Sequence, residues 1–172
     1  MTDPASDTFA RDTSVWDSVL KRFVDRPGVH GIVVGGGDGR TSRWLGEHVL
    51  TYESARLTCI DPSTAHGFAE AIDPVRHKAR HVAATSSVAL RGLSLAIGSI
   101  DFIHVDGGRS APSVLEAAVF GCRLLKVGGL MIVDAVEAES ARAMEQFLHV
   151  YANYAQTLRK DEHIVFQKRP PR

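Results

Sequence analysis

Five short apolar runs, each separated from the next by a stretch with helical spacing, constrain this chain more than any other feature. The runs are Val29–Val34, Arg56–Asp61, Arg80–Ala84, Ile100–Asp106 and Gly129–Asp134. Near-continuous apolar, β-branched runs read as strands buried on both faces, the pattern of a parallel sheet. Between and after them, Thr41–Leu50, Thr64–Ile72, Ser87–Ala96, Pro112–Leu125 and Glu137–Tyr154 read as helices. In the last of these, Ala141, Met144, Leu148 and Tyr151 are spaced 3, 4 and 3. Such alternation predicts a doubly wound, mostly parallel α/β sheet. Thr157–Lys168, turning at Lys160-Asp161-Glu162, predicts an antiparallel hairpin at one edge. Upstream, Val15, Val19 and Phe23, with Trp16 and Leu20 beside them, predict an amphipathic helix over Thr13–Arg26, ended by Pro27-Gly28. Residues 1–12 read as a loose tail, and 13–172 as a single domain without repeats or linkers.

Composition then removes several classes of function. Twenty basic residues balance twenty acidic ones, so the clustered basic excess of a nucleic-acid binder is missing. No apolar run approaches the ~20 residues needed to span a bilayer, and the polar N-terminus is not a signal peptide. Cys59 and Cys122 sit in apolar segments with no metal-ligand spacing, as small core residues do in a reducing compartment. The expectation is a cytoplasmic protein with no membrane or nucleic-acid partner.

In a doubly wound sheet the ligand lies at the carboxyl ends of the strands. Here the first strand ends in GIVVGGGDGRTS, Gly31–Ser42, and the second, fourth and fifth each close on an acid: Asp61, Asp106 and Asp134. A single Asp there can be a helix cap or turn former; three in equivalent places suggest a ligand rim. The loop is not a GxxxxGK[ST] phosphate loop, since no Lys lies between Lys21 and Lys78. Nor does it match GxGxxG; Gly35, Gly37 and Gly39 give GxGxG, with Gly36 between. Asp38 would repel a pyrophosphate held at the following helix N-terminus. It would tolerate a cationic ligand without phosphate, such as S-adenosylmethionine, while the glycines let backbone approach the cofactor. Asp61, 26 residues past Gly35, is placed to accept two ribose hydroxyls.

With these pieces in view the chain resembles the class I S-adenosylmethionine-dependent methyltransferases, and among them the small O-methyltransferases of the catechol and caffeoyl-CoA type. IVVGGGDGRTSRWLG stands for the first motif, LTCIDPS for the second, and IDFIHVDGGRSAPSVLEAAVFGCRLLKVGGLMIVDAV for the fourth and fifth; together they run from about Val29 to Val136. The resemblance implies a Rossmann-like methyltransferase sheet, a cofactor held by Gly35, Gly36, Gly37, Asp38, Gly39, Asp61 and Asp106, and Ser86 or Ser87 beside the adenine. It also implies, in metal-dependent members, a divalent ion such as Mg²⁺ on Asp106 and Asp134. Two departures stand out. The acid usually found two residues before the first glycine is Val33, so the methionine end would be held by Asp38 or through water. The usual third metal ligand is Ala135, and Gly108-Arg109-Ser110 replaces the acidic or His-containing stretch after the first.

Asp106 and Asp134 would end adjacent strands roughly 5 Å apart. They could hold the metal, or one of them could act as a base. His104 shares a strand face with Phe102 and Asp106. It is either a general base or a packed, hydrogen-bonded residue beneath the site. Arg109 is either a clamp for an anionic substrate group or a solvated loop residue. His66 reads as a helix-start residue near the adenosine edge, and Trp44 as core. Methyl transfer needs little protein chemistry, because the sulfonium is already activated. The leading expectation is an enzyme methylating a small molecule, at oxygen. The alternatives are a non-catalytic methyltransferase-fold subunit and another transfer chemistry, such as aminopropyl transfer, on the same fold. A homodimer, formed through the N-terminal helix or the last one, is expected to complete the pocket.

Overall fold

The first strand explains the rest of the architecture. In His30–Val34 (β1), Ile32 and Val34 face one side of the sheet and Val33 the other, and all three are fully buried. A strand apolar on both faces must lie in the middle of a sheet covered by helices on both sides. The computed structural model, which describes residues 4–62, 67–93, 95–106, 110–134, 137–160 and 163–170, has this arrangement.

Its strands are β1, Arg56–Ile60 (β2), Ala79–Val82 (β3), Ile100–Val105 (β4), Leu125–Asp134 (β5), Ala155–Lys160 (β6) and His163–Lys168 (β7). They form a seven-stranded sheet in the order β3-β2-β1-β4-β5-β7-β6. The pairings from β3 through β5 are parallel, and β7 joins β5 and β6 antiparallel. The helices are Pro4–Leu20 (α1), Arg40–His48 (α2), Phe68–Ile72 (α3), Ser86–Gly92 (α4), Ala111–Leu124 (α5) and Ala138–Val150 (α6). The predicted doubly wound sheet and its terminal hairpin are both present.

The alternate residues of each strand feed two cores. Ile32, Ile103 and Met131 meet Leu90 of α4, Ala117 and Ala118 of α5, and Met144 and Phe147 of α6. On the other face Val33, Phe102 and Ile132 meet Trp16 and Leu20 of α1 and Leu45 of α2. Both cysteines are buried and free, as expected, and burial pushes the Cys59 thiol up to about 11.

One boundary differs in a way that matters. The first helix begins at Pro4 rather than Thr13, so most of the segment read as a loose tail is helical. Phe9, Asp12 and Trp16 continue the helical spacing upstream, but polar neighbours hide it. The Phe9 ring packs edge-on against Trp16, 5.8 Å between centroids, and the Arg40 guanidinium lies over Phe9 at 5.6 Å. These contacts lay the start of α1 across the carboxyl edge of the sheet.

Candidate active site

The register places the three predicted acids along one rim. β1 pairs with β2 up to Val34 and Ile60, and Gly35 N donates to Ile60 O at 2.9 Å, so Asp61 leaves its strand beside the glycine turn. On the other side Asp106 N donates to Val34 O at 2.9 Å. β4 and β5 pair up to Val105 and Val133, which sets Asp106 next to Asp134. The expectation that these two end adjacent strands is met. Asp61 is 3% exposed and Ser86, the first residue of α4, is 5% exposed.

The glycine turn needs its glycines. Gly35, Gly36 and Gly39 have φ of 89°, 84° and 81°, the left-handed region that L side chains rarely adopt. A Cβ on Gly39 would lie 3.0 Å from Ala71 Cβ and 3.2 Å from Phe68 O. Gly39 N closes the turn on Gly36 O at 2.8 Å. The turn borders a cavity of about 360 Å³. Gly36, Gly37, Asp38 and Thr41 line it on one side, Asp106, Asp134 and His104 on the floor, and Phe9 and Asp12 of α1 on the other side.

Asp38 has a local task. Its Oδ1 accepts from Arg40 N at 3.0 Å and its Oδ2 from Arg40 Nε at 2.5 Å, which ties the turn to the start of α2. The expected stand-in for the missing acid is therefore bonded to its own helix start. Val33 lies fully buried beneath the turn, where a Cβ on Gly36 would come within 3.4 Å of Val33 Cγ1. Trp44 packs partly buried on Trp16, as expected of a core residue.

The floor holds a chain of ionisable groups. His104 is 1% exposed, with its ring edge-on to Trp16 at 5.0 Å. Its Nε2 lies 3.0 Å from Asp134 Oδ2, but off the line of a well-formed hydrogen bond. Asp134 Oδ1 lies 3.5 Å from His163 Nε2, which in turn bonds Asp12 Oδ1 at 2.9 Å. Burial opposes a charge on His104, but Asp134, with Asp106 and Asp12 beyond it, outweighs burial and holds its pKa above the ordinary value. Burial and the nearby Asp134 push the Asp12 carboxyl up, against the pull of His163. Both readings of His104 thus meet in one residue: it is packed beneath the site and poised against a carboxylate.

Asp12 and His163 escaped the sequence reading. His163 begins an edge hairpin strand, and only its antiparallel pairing with Asp134 brings it to the rim. Asp12 fell in the supposed tail. The divalent-metal expectation finds no support. Among the described residues no group of three or more His, Cys, Asp or Glu side chains is arranged to hold a metal ion. The two oxygens of Asp134 face two imidazoles, which leaves the Asp106–Asp134 pair a poor metal clamp. Arg109, His66 and Ala135 lie outside the described residues.

Residues 32–136 match the methyltransferase-domain family. The chain belongs to that family, and with it to the class I S-adenosylmethionine-dependent methyltransferases. No curated protein matches the sequence. Solved methyltransferase-fold structures do. A candidate rRNA methylase of Clostridium thermocellum superposes with a TM-score of 0.78 at 14% identity, over 93% of this chain and 97% of its own. A candidate methyltransferase of Streptococcus mutans, solved with S-adenosylhomocysteine, gives 0.72 at 11% identity, over 91% and 97%. A candidate O-methyltransferase of Klebsiella pneumoniae gives 0.68 at 13%, over 99% and 82%. At these identities the likeness is one of fold. No helix among the described residues is long and apolar enough to cross a membrane.

The cavity takes in the glycine turn and the Asp106–Asp134 rim, while Asp61 and Ser86 are not among the residues that line it. Both His104 nitrogens and Asp134 Oδ1 are buried polar atoms lacking a hydrogen bond. Buried polar atoms left in that state call for a ligand or water.

Proposed function

We propose that the protein methylates a hydroxyl group of a small molecule, with His104 and Asp134 acting together as the base. The observation that carries this reading is the buried His104 set 3.0 Å from Asp134 on the floor of the glycine-walled cavity. Gly35–Gly39 would hold the methionine end of S-adenosylmethionine, Asp61 the ribose hydroxyls, and Ser86 the adenine edge. When bound, that cofactor supplies a sulfonium-activated methyl group, so the hard chemistry is its own. The protein must hold the acceptor oxygen in line with the methyl and remove its proton. A neutral His104 would keep its proton on Nε2, toward Asp134, and take the acceptor's proton at Nδ1, with Asp134 stabilising the resulting imidazolium. Asp106, on the same rim, would orient the acceptor or the cofactor.

A small acceptor is favoured over nucleic acid by charge and size. Asp12, Asp38, Asp106 and Asp134 line a cavity of about 360 Å³ in which Arg40 is the one Lys or Arg among the described lining residues. Carboxylates in that number disfavour a phosphate backbone. Cytoplasmic location and dimerisation through α1 or α6 remain part of this reading, the second open to size-exclusion chromatography with light scattering.

The test is turnover. Panels of phenols, catechols and aliphatic hydroxy compounds, with amine and RNA arms, are incubated with S-adenosylmethionine, and S-adenosylhomocysteine is quantified. The reading expects turnover in a hydroxyl arm. It also expects His104→Gln to lower that turnover ~10²-fold or more, the usual worth of a general base. Turnover confined to the amine or RNA arm, or an indifferent His104→Gln, would overturn it. Cofactor binding without turnover in any arm would make the protein a non-catalytic subunit.

A further inference from the structure

The end of the sheet opposite the glycine turn carries a second built cavity, of about 600 Å³. It lies where α5 ends, β5 begins and β7 runs out, so no residue of the methyl-transfer site reaches it. Tyr151 forms a wall, and Ile97, Val127, Val150 and Tyr154 stand around it with 70, 59, 73 and 44% of their surfaces exposed. Four large apolar side chains left in water around one concavity mark a binding surface rather than chance exposure. A smaller cavity of about 390 Å³ shares Ile97 and Arg123 with the first and continues over Leu90, Leu93 and Phe120.

The charged residues here are all of one sign. Arg123, Lys168 and Arg169 line the larger cavity and Arg91 the smaller, and no carboxylate among the described residues lines either. In a chain with twenty acids and twenty bases that separation is not imposed by composition. Lys168 is pinned by donating Nζ to Leu125 O at 2.7 Å, and Arg169 Nε donates to Gln156 Oε1 at 3.2 Å. Their positive charges stay at the cavity edge, and no ion pair to a carboxylate is formed by either among the described residues. An apolar hollow of a few hundred Å³ with a few fixed polar groups is the form of a small-molecule site rather than of a flat protein interface.

We propose that this cavity binds a small amphipathic anion, an apolar chain carrying one carboxylate, with the chain laid between Tyr151, Val150 and Ile97 and the head against Arg123 and Arg169. Guanidinium groups suit that head because they meet a carboxylate bidentately. The inference is independent of the methyl-transfer reading, since it uses none of the same residues.

The test uses the whole protein, labelled with ¹⁵N, and two soluble probes of equal chain length and opposite charge, decanoate and decyltrimethylammonium. Decanoate is expected to shift the amides of Tyr151, Tyr154 and Arg169 saturably, with the glycine-turn amides unmoved. It should bind about tenfold or more tightly than the cation, the scale of a charge-assisted contact. Arg123→Gln combined with Arg169→Gln should reduce that preference, with Lys168 holding the remainder. No shift at these amides with about 1 mM decanoate, equal binding of the two probes, or a preference left unchanged by the double substitution would each overturn the proposal.

Discussion

Asp134→Asn isolates the electrostatics of the proposed base. The substitution keeps the side-chain volume and removes one charge. In the native protein His104 is fully buried, and only neighbouring carboxylates keep its pKa above the ordinary 6.5. Asp134 is the foremost of these, with its Oδ2 at 3.0 Å. Without it burial is the largest influence left, and burial lowers the pKa. The variant should therefore show His104 titrating below 6.5, a reversal of direction rather than a reduction. The cost is bounded, because His104 can escape by losing its proton. A buried neutral imidazole short of a partner costs about 1–3 kcal/mol, below the ~3–5 kcal/mol of a stranded buried charge. The sign with pH follows from linkage. A raised folded pKa stabilises the native state fully below the unfolded value, and the gain is lost as pH rises through the folded value. The deficit of the variant should thus be larger at acidic pH, just under 6.5, than in mildly alkaline solution. Long-range ¹H–¹⁵N spectra of the imidazoles report the titration, and urea unfolding at the two pH values reports the stability. A His104 that still titrates above 6.5 in the variant, or a deficit independent of pH, would refute the reasoning.

Other outcomes follow from the same geometry. Asp61→Ala should weaken S-adenosylhomocysteine binding tenfold or more by calorimetry, about 1.4 kcal/mol; unchanged affinity would move the ribose site elsewhere. Gly39→Ala places a Cβ at φ 81° and 3.0 Å from Ala71 Cβ. It should cost about 1–3 kcal/mol of stability in thermal or urea unfolding, the sum of a strained backbone and an overpacked contact. Asp12→Asn should leave the core intact but speed amide exchange in the first three turns of α1, since His163 loses its charged partner there; unchanged exchange would show that Phe9 and Trp16 alone hold the helix. Cofactor affinity should be indifferent to Mg²⁺ and to chelator, and a metal-dependent gain would restore Asp106 and Asp134 as ligands.

The central strands β1, β2, β4 and β5 were legible because each carries apolar residues on both faces, which leaves few options for where they can lie. The rim was legible too: Asp61, Asp106 and Asp134 each close an apolar run, and parallel register then carries them to one edge. Local polar chemistry was not. Asp38 suggested a cofactor contact, yet its nearest donors are Arg40 N and Nε, two residues along, and a two-residue hydrogen bond leaves no periodic trace. His163 reaches Asp134 only through the antiparallel pairing of β5 with β7, a long-range register that the residues around Lys160 do not encode. Asp12 was lost because the polar residues before Thr13 dilute the helical spacing of Phe9 and Trp16. The metal expectation rested on the resemblance and on two carboxylates at one rim, but both oxygens of Asp134 face imidazoles, a long-range arrangement with no trace in the spacing.

The central claim is that the glycine turn and the carboxyl edge of the sheet form a site for the methyl donor. Calorimetric titration of the protein with S-adenosylhomocysteine tests it most directly. One site per chain with a dissociation constant on the order of micromolar, displaced by S-adenosylmethionine and weakened by Asp61→Ala, is the predicted result. No heat of binding with ligand at about a millimolar, from protein that unfolds cooperatively, would contradict the account.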